Sequence, residues 1–273
     1  MKIDHSRAAR PQSGQAAKWL HCRGVCVDRA EARRLMAFMA RHTLLMRTSW
    51  GRRHVYGSQR AETFDTGFLG GRRLHLRLMD LPVYYELFLT GAYDAALRQL
   101  PPEPLVVDLG GHVGLFALRT RIMRPLARVV SLEPAPDNVA VYRLNTEGFH
   151  EVELRQRAYH PSAERLTLVT EDHGHNHRTR EVDFGVSATV GATSLRHLTR
   201  LSPNRPIDLL KVDIEGAEAA IPGSPDEEIL RSARQLLLET HAPTRIEDFT
   251  TGIGPRTIYA LGRGDTDASY WIA

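Results

Sequence analysis

A doubly wound α/β fold on a mainly parallel sheet, preceded by a helical and hairpin extension, is what this sequence predicts. Three observations carry the prediction. From Leu105 onward, short apolar runs alternate with segments of helical periodicity. The first run ends in Asp108-Leu109-Gly110-Gly111-His112-Val113-Gly114, a glycine-rich strand-to-helix turn. The chain closes on two β segments around a loop rich in Gly and Asp, an antiparallel pair at the end of a parallel series.

The bulk properties narrow the class. At 273 residues, 42% of them hydrophobic, the chain has room for one large α/β domain and an accessory segment. A cut at Pro101-Pro102 gives an N-terminal cap over 1–100 and the α/β domain over 101–273. No stretch approaches the apolar length of a membrane span, and the polar, Arg-bearing start lacks the apolar core of a secretory leader, so a cytoplasmic protein away from membranes is expected. Cys22 and Cys26 form a lone C-x3-C with no second pair. Two reduced thiols are the plainer reading, although His21 beside them keeps a metal alternative open. The formal charge of +4 and pI near 9.3 raise the question of an anionic partner. Yet the arginines are scattered in pairs such as Arg33-Arg34 and Arg72-Arg73 without a long basic run, so nucleic acid is not the expected partner.

The elements follow in order. Residues 1–15 read as an unstructured terminus. Arg29–Arg47 places Leu35, Met36, Phe38, Met39, His42, Leu45 and Met46 near helical spacing, an amphipathic helix whose Met-rich face packs in a core or serves a homodimer. Phe64–Met79, with Gly70-Gly71 between two alternating segments, reads as a hairpin. Pro82 opens a short helix over Val83–Leu89 that Gly91 stops, and a second helix runs from Tyr93 to Leu100. Then come a strand at Leu105–Leu109, a helix at Val113–Met123, a strand at Arg128–Leu132 ending in Glu133, and a helix from Pro136 to Gly148. Val152–Arg157 is a third strand and Leu166–Val169 a fourth. The polar excursion Glu171–Val190, with His173, His175 and His177, leads to a short helix capped by Thr193 or Ser194, and is read as a loop or a lid over substrate. Ile207–Asp213 and Gln235–Glu239 are further strands, and Thr257–Leu261 and Ser269–Ile272 form the final pair.

In such a sheet ligands sit at the carboxyl ends of the strands. Asp108 ends the first strand and Glu133 ends the second 25 residues later, where an acid grips the ribose hydroxyls of an adenosine through two hydrogen bonds. The glycine turn, which on its own is also compatible with an ordinary βα connection, fits D-x-G-x-x-x-G and not the dinucleotide pattern G-x-G-x-x-G. S-adenosylmethionine enzymes use that turn. A third site gathers Asp213, Glu215 and Gly216 after one strand and His241 after the next. An imidazole titrating near neutrality can take a hydroxyl proton while a carboxylate steadies its charge, which makes His241 the candidate base with Asp213 and Glu215 assisting. The same residue types also serve as a helix cap or a buried strand-end histidine, or hold a divalent ion; a metal-free arrangement ranks first.

Val107-Asp108-Leu109-Gly110-Gly111-His112-Val113-Gly114, Ser131-Leu132-Glu133-Pro134-Ala135-Pro136-Asp137-Asn138 with Asn145, Asp208-Leu209-Leu210-Lys211-Val212-Asp213-Ile214-Glu215-Gly216-Ala217-Glu218 and Leu238-Glu239-Thr240-His241 together resemble the FkbM family of S-adenosylmethionine-dependent methyltransferases, over about residues 82–261. The resemblance implies a class I methyltransferase (Rossmann-like) fold and O-methylation of a hydroxyl on a small molecule, often a sugar or natural product. It implies that Asp108, Gly110 and Gly114, with Gly111 and His112 of the same turn, line the methionine part of the cofactor. Glu133 would hold the ribose and Arg157-Ala158 the adenine, with Pro134 and Asn138 also among the cofactor-binding residues. Glu86 and Tyr93 resemble the family's lead-in and would close over the cofactor. His112 departs from the small or amide residue usual there, and the histidines of 171–180 match nothing in the pattern. Nucleic-acid methylation is the alternative, disfavoured because Asp213-Ile214-Glu215-Gly216 stands where base methyltransferases carry an N-P-P-Y-like turn. A catalytically idle adenosine-binding protein is another.

Overall fold

A computed structural model describes residues 3–4, 14–68, 71–170, 177–180, 187–199, 205–249, 253, 256–263 and 267–273. The chain begins with a two-residue strand, β1 (Ile3–Asp4), and three helices: α1 (Gln15–Val25), α2 (Arg29–Leu45) and α3 (Ser49–Gly57). The start of α2 is set by Asp28, whose side chain accepts from the Ala30 and Glu31 amides at 2.7 and 2.9 Å. Its buried stripe is Ala32, Leu35, Phe38, Met39 and His42, the face that the periodicity picks out. Periodicity does not reveal α1 and α3, because each buries only two residues: Cys22 and Val25 in one, Gly51 and Val55 in the other. Both cysteines are buried free thiols, and burial pushes the Cys22 thiol up to about 11.

The hairpin pairs β2 (Glu62–Asp65) with β3 (Arg73–Leu76), Phe64 opposite Leu74; Gly70 lies outside the described residues. A 3-10 turn, Leu78–Asp80, leads into α4 (Leu81–Tyr84), which passes into a π-helical turn, Tyr85–Thr90. Gly91 ends it at φ 64°, a left-handed stop. After α5 (Asp94–Arg98) come β4 (Leu105–Leu109), α6 (Leu115–Met123), β5 (Arg128–Leu132), α7 (Pro136–Asn145) and β6 (Val152–Arg155).

The fourth expected strand is real but belongs elsewhere. β7 (Ala158–Tyr159), β8 (Arg165–Thr170), β9 (His177–Arg180) and β10 (Ser187–Thr193) form a separate four-stranded sheet in the order β7-β10-β8-β9. β8 pairs antiparallel with both its neighbours, so it cannot continue the parallel series. The stretch expected to be a loop therefore holds two of these strands, while His173 and His175 lie outside the described residues. The chain continues through α8 (Leu195–Thr199), β11 (Leu209–Val212), a 3-10 turn at Ala217–Ala220, α9 (Glu227–Ser232) and β12 (Gln235–His241). It closes with β13 (Ile258–Arg263) and β14 (Asp267–Ile272).

The main sheet runs β1-β13-β14-β12-β11-β4-β5-β6, parallel except where β14 runs against β12 and β13. This is the class I methyltransferase arrangement, with the antiparallel strand inserted at one side. Alternate side chains enter two cores: Val106, Val129, Leu209 and Leu237 pack with the N-terminal helices and α6, whereas Val107, Val130, Leu210 and Leu238 pack with α8 and α9. Among the described residues no helix is long and apolar enough to cross a membrane.

Candidate active site

Register aligns the strand ends. Leu109 pairs with Leu132 on one side and Val212 on the other, and Val212 pairs with Leu238. The residues just beyond, Gly110, Glu133, Asp213 and Glu239, therefore share one level at the carboxyl edge. They line a single cavity of about 340 Å³, within the roughly 300–1,000 Å³ of small-molecule sites.

At one end the glycine turn wraps over β5. The amides of Gly110 and Gly111 donate to the Leu132 carbonyl at 3.1 and 2.8 Å. Gly110 sits at φ 88°, and a Cβ on it would stand 1.8 Å from the Asp213 carbonyl oxygen, so no other residue fits where the two turns touch. Glu133 is buried; its Oε2 accepts from the His112 amide at 2.8 Å, and its Oε1 accepts from the Ala135 amide at 2.9 Å and Asn138 Nδ2 at 3.2 Å. Three of about four lone-pair sites are taken. One acceptor position remains, on Oε2. Burial pushes its pKa up to about 7 against these donors.

A buried network ties this end to the hairpin. Arg77 donates to both oxygens of Asp80 and, through Nη2, to Asn138 Oδ1 at 2.7 Å. Asp80 Oδ1 stands 3.4 Å from His112 Nε2. Burial outweighs that carboxylate and lowers the His112 pKa to about 4, so its ring is neutral; its backbone is left-handed at φ 48°.

The other end is acidic. Lys211, buried at 5% exposure in β11, points its Nζ at the Gly110 carbonyl (3.1 Å), Asp213 Oδ2 (3.1 Å) and Asp108 Oδ1 (3.3 Å). Burial opposes its charge, but Asp213 and Asp108 outweigh burial and hold it above an ordinary lysine. Asp213 feels the reverse: burial disfavours its charge, and Lys211 and His241 pull it below the usual carboxylate range. Glu86, presented by the π-helical turn, accepts from the Tyr93 hydroxyl, and burial with the Asp213 charge pushes it up to about 7. Burial, Asp213 and Glu86 push Glu239 up to about 9. Asp267 and Glu215 complete the acidic wall.

His241 lies behind that wall and is not among the residues lining the cavity. Its amide and Nδ1 reach Glu218 Oε1 at 2.7 and 3.2 Å, and its Nε2 stands 3.4 Å from Glu215 Oε2 and 3.8 Å from Glu239 Oε1. Burial alone would lower its pKa, but the Glu218 hydrogen bond and the Glu215, Glu218 and Asp213 charges raise it to about 9. The same contacts fix the ring, with Nδ1 on Glu218 and Nε2 toward Glu215 and Glu239. Ligand atoms of Asp213, Glu239 and His241 lie within 4.8 Å of one another.

The other expected site residues divide plainly. Gly110, Gly111, His112, Glu133, Pro134 and Asn138 line one end of the cavity. Arg157 and Ala158 extend it, and Glu86, Tyr93, Asp213 and Glu215 line the acidic end. Asp108 and Gly114 stand outside the lining. Asp108 is buried under the turn, where Ser131 Oγ donates to it at 3.0 Å, and Gly114 caps α6 against Tyr142. Lys211, Glu239, Asp267 and Glu218 were not named as site residues from the sequence; a lone lysine within the apolar run Leu209–Val212 was the signal for the first.

A solved fibrillarin from Aeropyrum pernix, with natively bound S-adenosyl-L-methionine, matches at 13% identity over 67% of this chain and 76% of that chain, TM-score 0.39. "Methyltransferase sdnD" of Sordaria araneosa is 30% identical over 60% of this chain and 76% of its own length. "Methyltransferase 1" of Beauveria bassiana is 26% identical over 54% of this chain and 67% of its own. The profile described as the methyltransferase FkbM domain matches residues 108–251, from the acid of the glycine turn to beyond β12. The chain belongs to the FkbM family of S-adenosylmethionine-dependent methyltransferases.

Proposed function

We propose that the protein transfers the methyl group of S-adenosylmethionine to a hydroxyl of a small molecule, a sugar or natural-product intermediate. One observation carries the reading: the glycine turn with Glu133 and a set of carboxylates face each other in one cavity. The residues fit the cofactor, because the buried Glu133 keeps one acceptor free at the cavity wall. When bound, S-adenosylmethionine supplies a methyl group made electrophilic by its sulfonium. Glu133, Gly110, Gly111 and His112 hold it from the turn side.

The acidic end of the cavity, with Glu86, Asp213 and Glu239, favours a cationic cofactor over a phosphate-bearing ligand and leaves room for a neutral, hydroxylated acceptor. Of these, Glu86 is the group matched to taking the hydroxyl proton, since a base works best with a pKa near the operating pH. Orienting the acceptor oxygen toward the methyl group falls to the walls from the N-terminal segment, Tyr56, Met79, Pro82, Val83 and Leu87, which we assign as the acceptor side of a cap spanning 1–100.

The test is incubation with methyl-labelled S-adenosylmethionine and a panel of hydroxylated sugars and polyketides. The expected result is a mass gain of one methyl on a hydroxylated compound. Labelling confined to bulk RNA, with steep salt dependence, would overturn the reading.

A further inference from the structure

We infer that Asp213, Glu239 and His241 form a divalent metal site, one that a Mn2+ ion fits, at the acidic end of the cavity. The inference rests on the hydroxyl reading above, and it replaces the metal-free arrangement ranked first from the sequence. The three side chains come from the carboxyl ends of neighbouring strands, β11 and β12, whose register places Val212 beside Leu238. Their ligand atoms lie within 4.8 Å of one another. Neighbouring ligands of an octahedral ion with bonds of about 2.1 Å are roughly 3 Å apart, so binding needs side-chain rotations of an ångström or two and no movement of the strands.

A second observation points the same way. Glu218, fully buried, accepts from the His241 backbone amide at 2.7 Å and contacts Nδ1 at 3.2 Å, while its Oε2 accepts from the Gly216 amide at 2.7 Å. This arrangement turns Nε2 of a side chain only 6% exposed toward the carboxylates of Glu215 and Glu239, at 3.4 and 3.8 Å. A carboxylate that fixes one ring nitrogen so that the other faces a ligand position is the usual support of a metal-binding histidine. Lys211 pins Asp213 through Oδ2 at 3.1 Å, so that ligand is also held before any ion arrives. One imidazole and two carboxylates suit a first-row divalent ion and leave open positions for the acceptor.

A cation there lowers the pKa of a hydroxyl placed against it. The O–H bond breaks, the electron pair stays on oxygen, and the proton passes to the Glu86 carboxylate across the cavity.

The experiment uses the full chain, treated with chelator and then titrated with Mn2+, with free Mn2+ read by electron paramagnetic resonance. The expected result is uptake of one Mn2+ per chain, at least tenfold weaker in Asp213→Asn and Glu239→Gln and unchanged in Glu103→Gln, an exposed acid outside the cavity. An unchanged Mn2+ signal with the wild-type protein overturns the site, whatever the variants do. Methyl transfer measured alongside separates the two proposals. O-methyl product that persists in EDTA, without Mn2+ uptake, overturns the metal site and leaves the hydroxyl reading standing. Stoichiometric Mn2+ uptake with no O-methyl product from any acceptor does the reverse.

Discussion

Glu133 holds its position through three protein donors and keeps one acceptor, which the proposed function gives to the cofactor. Replacing it with Gln puts an NH2 against an amide that now donates, either His112 or Ala135. Because hydrogen bonds to a charged group are worth about 1.5–3 kcal/mol, Glu133→Gln is expected to weaken S-adenosylmethionine at least tenfold by calorimetry. Glu86 carries a different consequence. Its carboxylate faces Asp213, Tyr93, Lys211 and Asp267, and its pKa is about 7. The ionised form accepts the proton, so turnover should fall as pH drops through about 7. Glu86→Gln should remove that limb and lower kcat by about 10²–10⁴ with a smaller change in the KM for cofactor, read from pH–rate profiles. Asp213 and Glu133 were legible in the sequence because each directly follows an apolar run. Lys211 and Glu239 were harder to read, since a charge inside or at the end of a strand is the same letter whether it faces solvent or a cavity. The role of His241 depends on Glu218, 23 residues away, which joins the site only through tertiary packing.

At the scale of elements, the βα alternation from Leu105 was readable because both faces of a parallel sheet are covered and its strands are apolar throughout. The separate sheet of β7–β10 was not, because its pairing partners lie on either side of a polar stretch. Nor was the π-helical turn that presents Glu86, whose residues carry ordinary helical spacing. The packing of α1 on α4 also yields a pH effect. His21 Nε2 is 2.8 Å from the Tyr84 hydroxyl, and burial, with the Arg119 charge, lowers its pKa from 6.5 to about 4. Above pH 6.5 the ring is neutral in both folded and unfolded chains. Below it the unfolded chain takes up a proton that the folded chain refuses, so this contribution is lost progressively down to about pH 4. His21→Phe removes the titration. Its thermal midpoint is expected to fall less than that of the wild type between pH 7 and pH 5, and an equal or larger fall would contradict the assignment.

Across the whole molecule, the N-terminal helices and hairpin share one core with Val106, Val129, Leu209 and Leu237 of the main sheet. The Arg77–Asp80–Asn138 network then joins that extension to Glu133. The segment thus forms part of the wall of the cavity as well as of its support, which is why the proposed function gives it the acceptor side. The measurement that tests the central claim most directly is carbon-13 NMR of the product formed by the wild-type protein from carbon-13-methyl S-adenosylmethionine and its acceptor. The account predicts that the labelled carbon appears as an O-methyl ether of a small molecule; a labelled methyl on nitrogen, carbon or sulfur would contradict it.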